Sequence, residues 1–201
     1  MKKFLFIFLS IFLFVSTLFG TQLDEYVDNN LGEEISPKVY VKYDENRRII
    51  HKREYMEDYK CTYYYYQNGN LQYYSKVKLD NKDKEWTYYY EKGQVEIEGK
   101  VKNKKGIVKS YFPQGDIRMI QYIKNNKAHG KYISYYKNGN IHERGYYKDD
   151  KKSGKWEVFG ENGNKTLERR FKNDYLDGAF IEYENNKIIS KKVYINGILK
   201  K

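Results

Sequence analysis

The chain has 201 residues, a formal net charge of +11 and 24 tyrosines. Its one cysteine excludes an internal disulfide, and with it a small fold stapled by disulfide bonds. The basic charge favours an anionic partner, but lysine far outnumbers arginine, the residue that recognises phosphate through two parallel hydrogen bonds, and this argues against nucleic acid.

The first twenty residues have the layout of a secretory signal peptide. Lys2 and Lys3 form a positive segment, residues 4–19 are almost all apolar, and Gly20 is a small residue at the expected cleavage point. We therefore expect an exported protein that is periplasmic, attached to the cell surface or secreted. An uncleaved N-terminal anchor is the alternative. Residues 21–37 contain five acidic residues and neither lysine nor arginine, which predicts an acidic linker.

Residues 38–201 repeat one pattern seven times, in steps of 22 or 24 residues. The equivalent first positions are Lys38, Lys60, Lys84, Gly106, Gly130, Gly154 and Gly178. Large residues recur two places later, including Trp86, Tyr132 and Trp156, and aromatic residues recur five places later, including Tyr89, Tyr111, Tyr135 and Tyr183. Nine places later come Gly69, Gly93, Gly115, Gly139 and Gly163. The first and last copies have Arg47 and Lys187 there, as expected of degenerate terminal repeats.

Each copy is predicted to form a β-hairpin. The first strand is expected over about the second to sixth places and the second strand over the tenth to seventeenth. Asn138-Gly139 is typical of a type I′ turn between them, and polar connectors such as Lys102–Gly106 are predicted to link successive copies. Because one hairpin cannot bury a face alone, the sequence predicts an all-β fold, an elongated and twisted antiparallel sheet built from tandem hairpins.

The aromatic residues leave two questions open. The second and fifth places differ in parity, so a regular strand directs them to opposite faces; either both faces carry aromatic rings or a bulge intervenes. Packing between repeats is the favoured role of these rings, and a surface that stacks on a glycan, a lipid headgroup or a peptide is the alternative.

A lysine recurs eighteen places after the first position of five successive copies. The five are Lys78, Lys102, Lys124, Lys148 and Lys172. Stacked repeats would place them in one column. They either keep the strand ends soluble and unpaired or form a stripe that binds an anionic partner.

No catalytic pattern is present in the sequence. His51, His129 and His142 lie in different copies without the spacing of metal ligands, and Glu143 beside His142 is interpreted as a solvated pair. Cys61 has no histidine at a motif distance, and no glycine-rich phosphate loop precedes a helix. We predict no enzyme activity, no metal, no cofactor and no small-molecule substrate.

The copy at 154–178, which reads GKWEVFGENGNKTLERRFKNDYLDG, resembles the bacterial variant of the MORN repeat (membrane occupation and recognition nexus). Arrays of this variant are often labelled YwqK-type antitoxin components. The resemblance implies an array of antiparallel hairpins that binds a partner. Three functions stay open: a scaffold for a protein partner, a basic surface for an anionic envelope polymer or lipid, and an antitoxin-like neutraliser of an exported toxin.

Overall fold

The computed structural model describes residues 39–200, so the predicted signal peptide and acidic linker lie outside the described residues. Residues 39–200 form one fifteen-stranded sheet in which every paired strand is antiparallel to its neighbour. The strands are β1 (Val39–Tyr43), β2 (Ile49–Tyr55), β3 (Tyr59–Tyr65), β4 (Leu71–Lys78), β5 (Asp83–Tyr89), β6 (Val95–Lys102), β7 (Lys105–Tyr111), β8 (Ile117–Lys124), β9 (Lys127–Tyr135), β10 (Ile141–Lys148), β11 (Lys151–Phe159), β12 (Lys165–Lys172), β13 (Tyr175–Glu184), β14 (Lys187–Ile195) and β15 (Ile198–Leu199). Their order in the sheet is their order in the sequence. The predicted all-β fold of tandem hairpins is confirmed.

The second strand of each central hairpin has the predicted length but begins and ends one residue later than predicted. β4, β6, β8, β10 and β12 each begin eleven places after the first position of their copy and end on its recurrent lysine. The first strands are longer than predicted; β9, for example, begins at Lys127, three residues before Gly130. They gain this length because the connectors between copies are much tighter than expected.

Most of these connectors are two-residue turns. Asn125 and Asn126 have φ angles of 54° and 61°, and Asp149 and Asp150 have φ angles of 51° and 69°. A left-handed conformation at both residues is the geometry of the tight hairpin turn, and Asn and Asp tolerate it better than other non-glycine residues. The prediction of polar loops at these connectors is therefore wrong: successive copies are joined as hairpins too.

The Asn138-Gly139 turn differs from the predicted type I′ turn. Gly139 has a φ of 83°, but Asn138 is not left-handed. The Tyr136 carbonyl accepts a hydrogen bond from the Gly139 amide at 3.0 Å, and the Tyr136 amide donates to the Asn140 carbonyl at 2.8 Å. The pairing of β10 with β9 then shifts by one residue between Ile141 and Glu143. The turn is thus longer than predicted and is followed by a bulge.

Side chains of this turn bind the next repeat. The side-chain amides of Asn138 and Asn140 both donate to the Glu161 carbonyl, at 2.8 and 2.7 Å, and the Tyr136 hydroxyl donates to the Phe159 carbonyl at 2.9 Å. The same set recurs three repeats earlier, where Asn68, Asn70 and Tyr66 donate to carbonyls of residues 89 and 91. The asparagines around the turn glycine therefore join one turn to the next.

The two faces of the sheet can be told apart by direct pairing across strands. Trp86, Gly99, Val108, Gln121 and Tyr132 are successive partners on β5 to β9, so they share one face, here called the tryptophan face. The opposite face, here called the lysine face, carries Glu98, Lys109, Ile120 and Ile133 in the same strands. The Tyr111 hydroxyl donates to the Glu98 carboxylate at 2.6 Å. Both faces carry aromatic rings and a bulge is also present, so both open alternatives occur.

The tryptophan face packs within a single layer. Trp156 has no exposed surface, and its ring centroid lies 5.4 Å from that of Tyr132 and 5.0 Å from that of Tyr147. Gly145 lies directly under the Trp156 ring, where an added Cβ would overlap the indole, and Gly99 lies in the same way under Trp86. These two glycines make room for the rings, and the sequence pattern did not single them out. No helix among residues 39–200 is long and apolar enough to cross a membrane.

Candidate binding surfaces

The predicted repeat positions lie along the whole array and do not converge on one site. The turn glycines Gly69, Gly93, Gly115, Gly139 and Gly163 all have φ between 82° and 99°. Trp86, Tyr132 and Trp156 are buried on the tryptophan face. Tyr89, Tyr111, Tyr135 and Tyr183 are half-buried at or next to the ends of first strands. In the sheet, the glycines therefore form turns, and the aromatic residues pack against neighbouring strands.

A charged cluster lies beside Trp156 on the tryptophan face. The Glu143 carboxylate, only 8% exposed, accepts hydrogen bonds from Lys152 Nζ at 3.3 Å and from an Arg169 terminal nitrogen at 3.1 Å. Lys152 Nζ also lies 3.9 Å from the centroid of the Trp156 ring. Burial lowers the pKa of Lys152, although Glu143 opposes that shift. The interpretation of Glu143 as a solvated partner of His142 is therefore wrong, because its partners are two cations from later strands.

A second charged cluster lies on the lysine face of the same repeats. Glu157 is 5% exposed and forms ion pairs with Arg144, Lys155 and Lys165. Burial alone would raise the pKa of this carboxyl, but the hydrogen bonds from Lys165, Arg144 and Lys155 outweigh burial and bring the pKa to about 2. Sequence spacing gave no sign of either cluster, because each joins residues from separate repeats.

Only two of the five predicted lysines belong to a continuous run of directly paired lysines. Lys102 and Lys124 both pair directly with Lys105 from the intervening strand, and Lys124 pairs on its other side with Lys127. We call Lys102, Lys105, Lys124 and Lys127 the lysine row; all four are exposed and lie on the lysine face of β6 to β9. Sequence analysis missed Lys105 and Lys127, which the tight connector turns bring opposite the predicted lysines.

The other predicted lysines stand outside this row. Lys148 pairs with Lys151, Lys172 with Tyr175, and the half-buried Lys78 with Tyr59. The register shift between Gln121 and Ile123, where β8 meets β9, separates Lys148 from the row. The five recurrent lysines therefore all end second strands but do not belong to one continuous row of directly paired lysines.

A run of rings crosses four strands near the other end of the array. His51, Tyr64, Tyr73 and Tyr88 are successive direct partners on β2 to β5, and we call them the ring ladder. Their ring centroids are 4.6, 5.9 and 4.7 Å apart in that order. All four are half-buried. Burial, followed by the nearby positive charges of Arg53 and Lys42, lowers the pKa of His51.

The chemistry-bearing side chains are dispersed. Residues 39–200 contain no group of three or more His, Cys, Asp and Glu side chains placed to hold a metal ion. Cys61 is a buried free thiol. The Ser134 hydroxyl lies 3.4 Å from His142 Nδ1, but Ser134 is 5% exposed, so a substrate has little access to that oxygen.

The fold defines a single-layer array of β-hairpin repeats, and comparison with protein families specifies the repeat. The family model of the MORN repeat variant matches residues 82–103 and 128–149. The two segments lie in the same phase: each starts two residues before the first position of its copy, Lys84 or Gly130, and ends just after the recurrent lysine. These two copies therefore match the MORN repeat variant, and proteins that carry MORN repeats are generally non-enzymatic scaffolds. A comparison with curated proteins gives no significant match.

Proposed function

We propose that this chain is an exported, non-enzymatic scaffold that binds a protein partner across several of its repeats. MORN-type repeats support a scaffold, and an open sheet whose strands follow the sequence order presents equivalent surfaces at regular intervals. The signal-peptide layout of residues 1–20 supports export.

The ring ladder is the observation that carries the choice of a protein partner. It joins β2 to β5, so it spans parts of three repeats and the two connectors between them, and each ring retains part of its surface in contact with solvent. Tyrosine is enriched in protein interfaces because it offers a large rigid apolar body with a polar hydroxyl at low entropic cost. Half-buried rings in consecutive direct pairs form a continuous strip on which a partner can pack.

Affinity capture from the native host tests this proposal. The tagged full chain is compared with a Tyr73→Ala/Tyr88→Ala variant, which removes the centre of the ladder, and with Tyr63→Ala/Tyr74→Ala. The control pair lies in β3 and β4 with ring centroids 5.3 Å apart, but on the opposite face. Far-UV circular dichroism checks that each variant folds.

We expect the wild type and the control variant to capture the same protein, and the ladder variant to fail to capture it. Capture should persist at high salt, because packing of rings is not screened as ion pairing is. A partner that is lost equally from both folded variants, or lost from the wild type at high salt, would contradict binding through the ladder.

A further inference from the structure

The lysine row concentrates positive charge that no ion pair among residues 39–200 neutralises. Its four members occupy directly facing positions on four adjacent strands, about 5 Å apart between neighbours. Like charges that face each other across strands destabilise a sheet. An anionic chain that lies across the strands would therefore relieve the repulsion between these lysines.

The acids that border the row are occupied by other donors. Asp83 pairs with Lys102 across the strands, but its carboxylate accepts a hydrogen bond from the Asn103 amide at 3.2 Å. Asp150 accepts from the Ala128 amide at 2.7 Å, and Asp149 lies 3.1 Å from the His129 ring nitrogen. These contacts hold the carboxylates at the turns and leave the lysines facing solvent.

Two exposed tyrosines share the lysine face beside the row. Tyr122 is 45% exposed and stands two residues before Lys124 in β8, so both project from the same face. Tyr146, 42% exposed, lies two strands away in β10 and pairs with Lys131. An exposed ring offers a flat apolar surface next to a hydroxyl, which suits the C–H face of a sugar ring.

From this combination we propose that the lysine row and its flanking tyrosines bind an acidic polysaccharide, a polymer of uronic acid residues. Such a polymer carries a carboxylate on each sugar ring beside an apolar C–H face, so one chain can pair with the lysines and stack on the tyrosines. Tyr122 and Tyr146 stack on the sugar rings.

The surroundings disfavour the other anionic partners. An acidic peptide can pair its carboxylates with the row, but it has no sugar-ring C–H face to stack on Tyr122 and Tyr146. An anionic membrane would meet the Asp149-Asp150 turn at the same edge and be repelled by it. The row contains lysine only, and bidentate recognition of phosphate requires arginine. The lysine row lies on a different surface from the ring ladder, so it can bind a polysaccharide whether or not the ladder binds a protein.

Binding of the full chain to polygalacturonate tests the proposal. The row variant changes Lys102, Lys105, Lys124 and Lys127 to Gln. The control changes four lysines that are equally exposed, form no ion pair among the described residues and do not face one another, namely Lys92, Lys137, Lys187 and Lys191. A third variant, Tyr122→Ala/Tyr146→Ala, keeps every charge. Methyl-esterified polygalacturonate, polyglutamate, inorganic polyphosphate and anionic phospholipid vesicles serve as competing probes.

We expect the row variant to lose at least about tenfold in affinity for polygalacturonate and the control less than about threefold, with binding weakened steeply by salt. The tyrosine variant should weaken binding to polygalacturonate but not to polyglutamate. Equal losses in row and control variants would overturn the proposal in favour of diffuse basicity. Equal affinity for the methyl ester, or tighter binding to polyglutamate, polyphosphate or vesicles, would overturn the choice of ligand.

Discussion

Gly145 gives the sharpest test of how the single-layer core is built. Its Cα lies under the ring of Trp156, a residue with no exposed surface, and an added Cβ would overlap the fused edge of the indole. Gly145 has no left-handed backbone, so alanine there is limited by space alone. The substitution Gly145→Ala therefore forces the Trp156 ring away from Tyr132 and Tyr147, its nearest aromatic neighbours.

The cost can be bounded from both sides. Overpacking a well-filled core typically costs about 1–3 kcal/mol. Complete loss of a buried tryptophan ring costs about 3–5 kcal/mol, which sets the upper limit if the ring is expelled. We expect Gly145→Ala to lower the free energy of unfolding by roughly 2–3 kcal/mol. The same change at Gly139 meets no atom within 4 Å and bears only the cost of a left-handed alanine, about 1 kcal/mol.

A double-mutant cycle separates this overlap from a general effect of the alanine. In a Trp156→Ala background the clash is absent, so Gly145→Ala should be neutral or stabilise the protein by up to about 1 kcal/mol. The assay is urea-induced unfolding followed by far-UV circular dichroism. Gly99→Ala with Trp86→Ala repeats the cycle at the second glycine–tryptophan pair. If Gly145→Ala cost the same with and without the Trp156 ring, the account of the core would be refuted.

Because Gly139 is left-handed, we expect Gly139→Val to lower the free energy of unfolding by about 1–2 kcal/mol or more. Lys187→Val should change stability little, because Lys187 is the first residue of a strand. Equal melting temperatures for the two variants would contradict this. Asn140→Ala should cost about 1 kcal/mol through loss of its bond to the Glu161 carbonyl, and Asn140→Asp, which keeps the size but loses the donor, should cost as much in urea unfolding. For Glu157, the folded-state pKa of about 2 lies below the ordinary value of 4.5, so its stabilisation is complete above pH 4.5 and is lost as pH falls through 2. Wild type should therefore lose up to about 3 kcal/mol more than Glu157→Gln over that range, and parallel pH profiles would sink the assignment. Export predicts that N-terminal sequencing of the chain recovered from its host begins near Thr21, and a chain beginning at Met1 in the cytoplasm would disprove it.

The repeat period was enough to predict the fold class and the hairpin order. The recurrent lysines mark the ends of β6, β8 and β10 correctly, because the polar turn begins at the next residue. Turn geometry was less predictable. Asn138-Gly139 matches the signature of a type I′ turn, yet two-residue turns with both φ angles positive occur instead at pairs such as Asn125-Asn126, where no glycine marks them.

The surfaces depended on register, which the period alone does not give. Lys105 lies opposite Lys102, and Lys127 opposite Lys124, only because the connector turn between each pair has two residues; longer loops would allow another register. The pairing of Glu143 with Arg169 likewise joins residues 26 positions apart in two different repeats. The ring ladder could have been found by placing the tyrosines of β3 to β5 in the register that the hairpins set.

The central claim is that the repeats add one after another in a single sheet, so that equivalent strands follow one another at regular intervals. Distances between spin labels measured by pulsed electron paramagnetic resonance test it directly, in a Cys61→Ser background. The labels replace Lys102, Lys124, Lys148 and Lys172, which are exposed and end every second strand from β6 to β12. The account predicts that the distances from position 102 to positions 124, 148 and 172 increase in steps of about 10 Å. A distance from 102 to 172 no longer than that from 102 to 124 would contradict it.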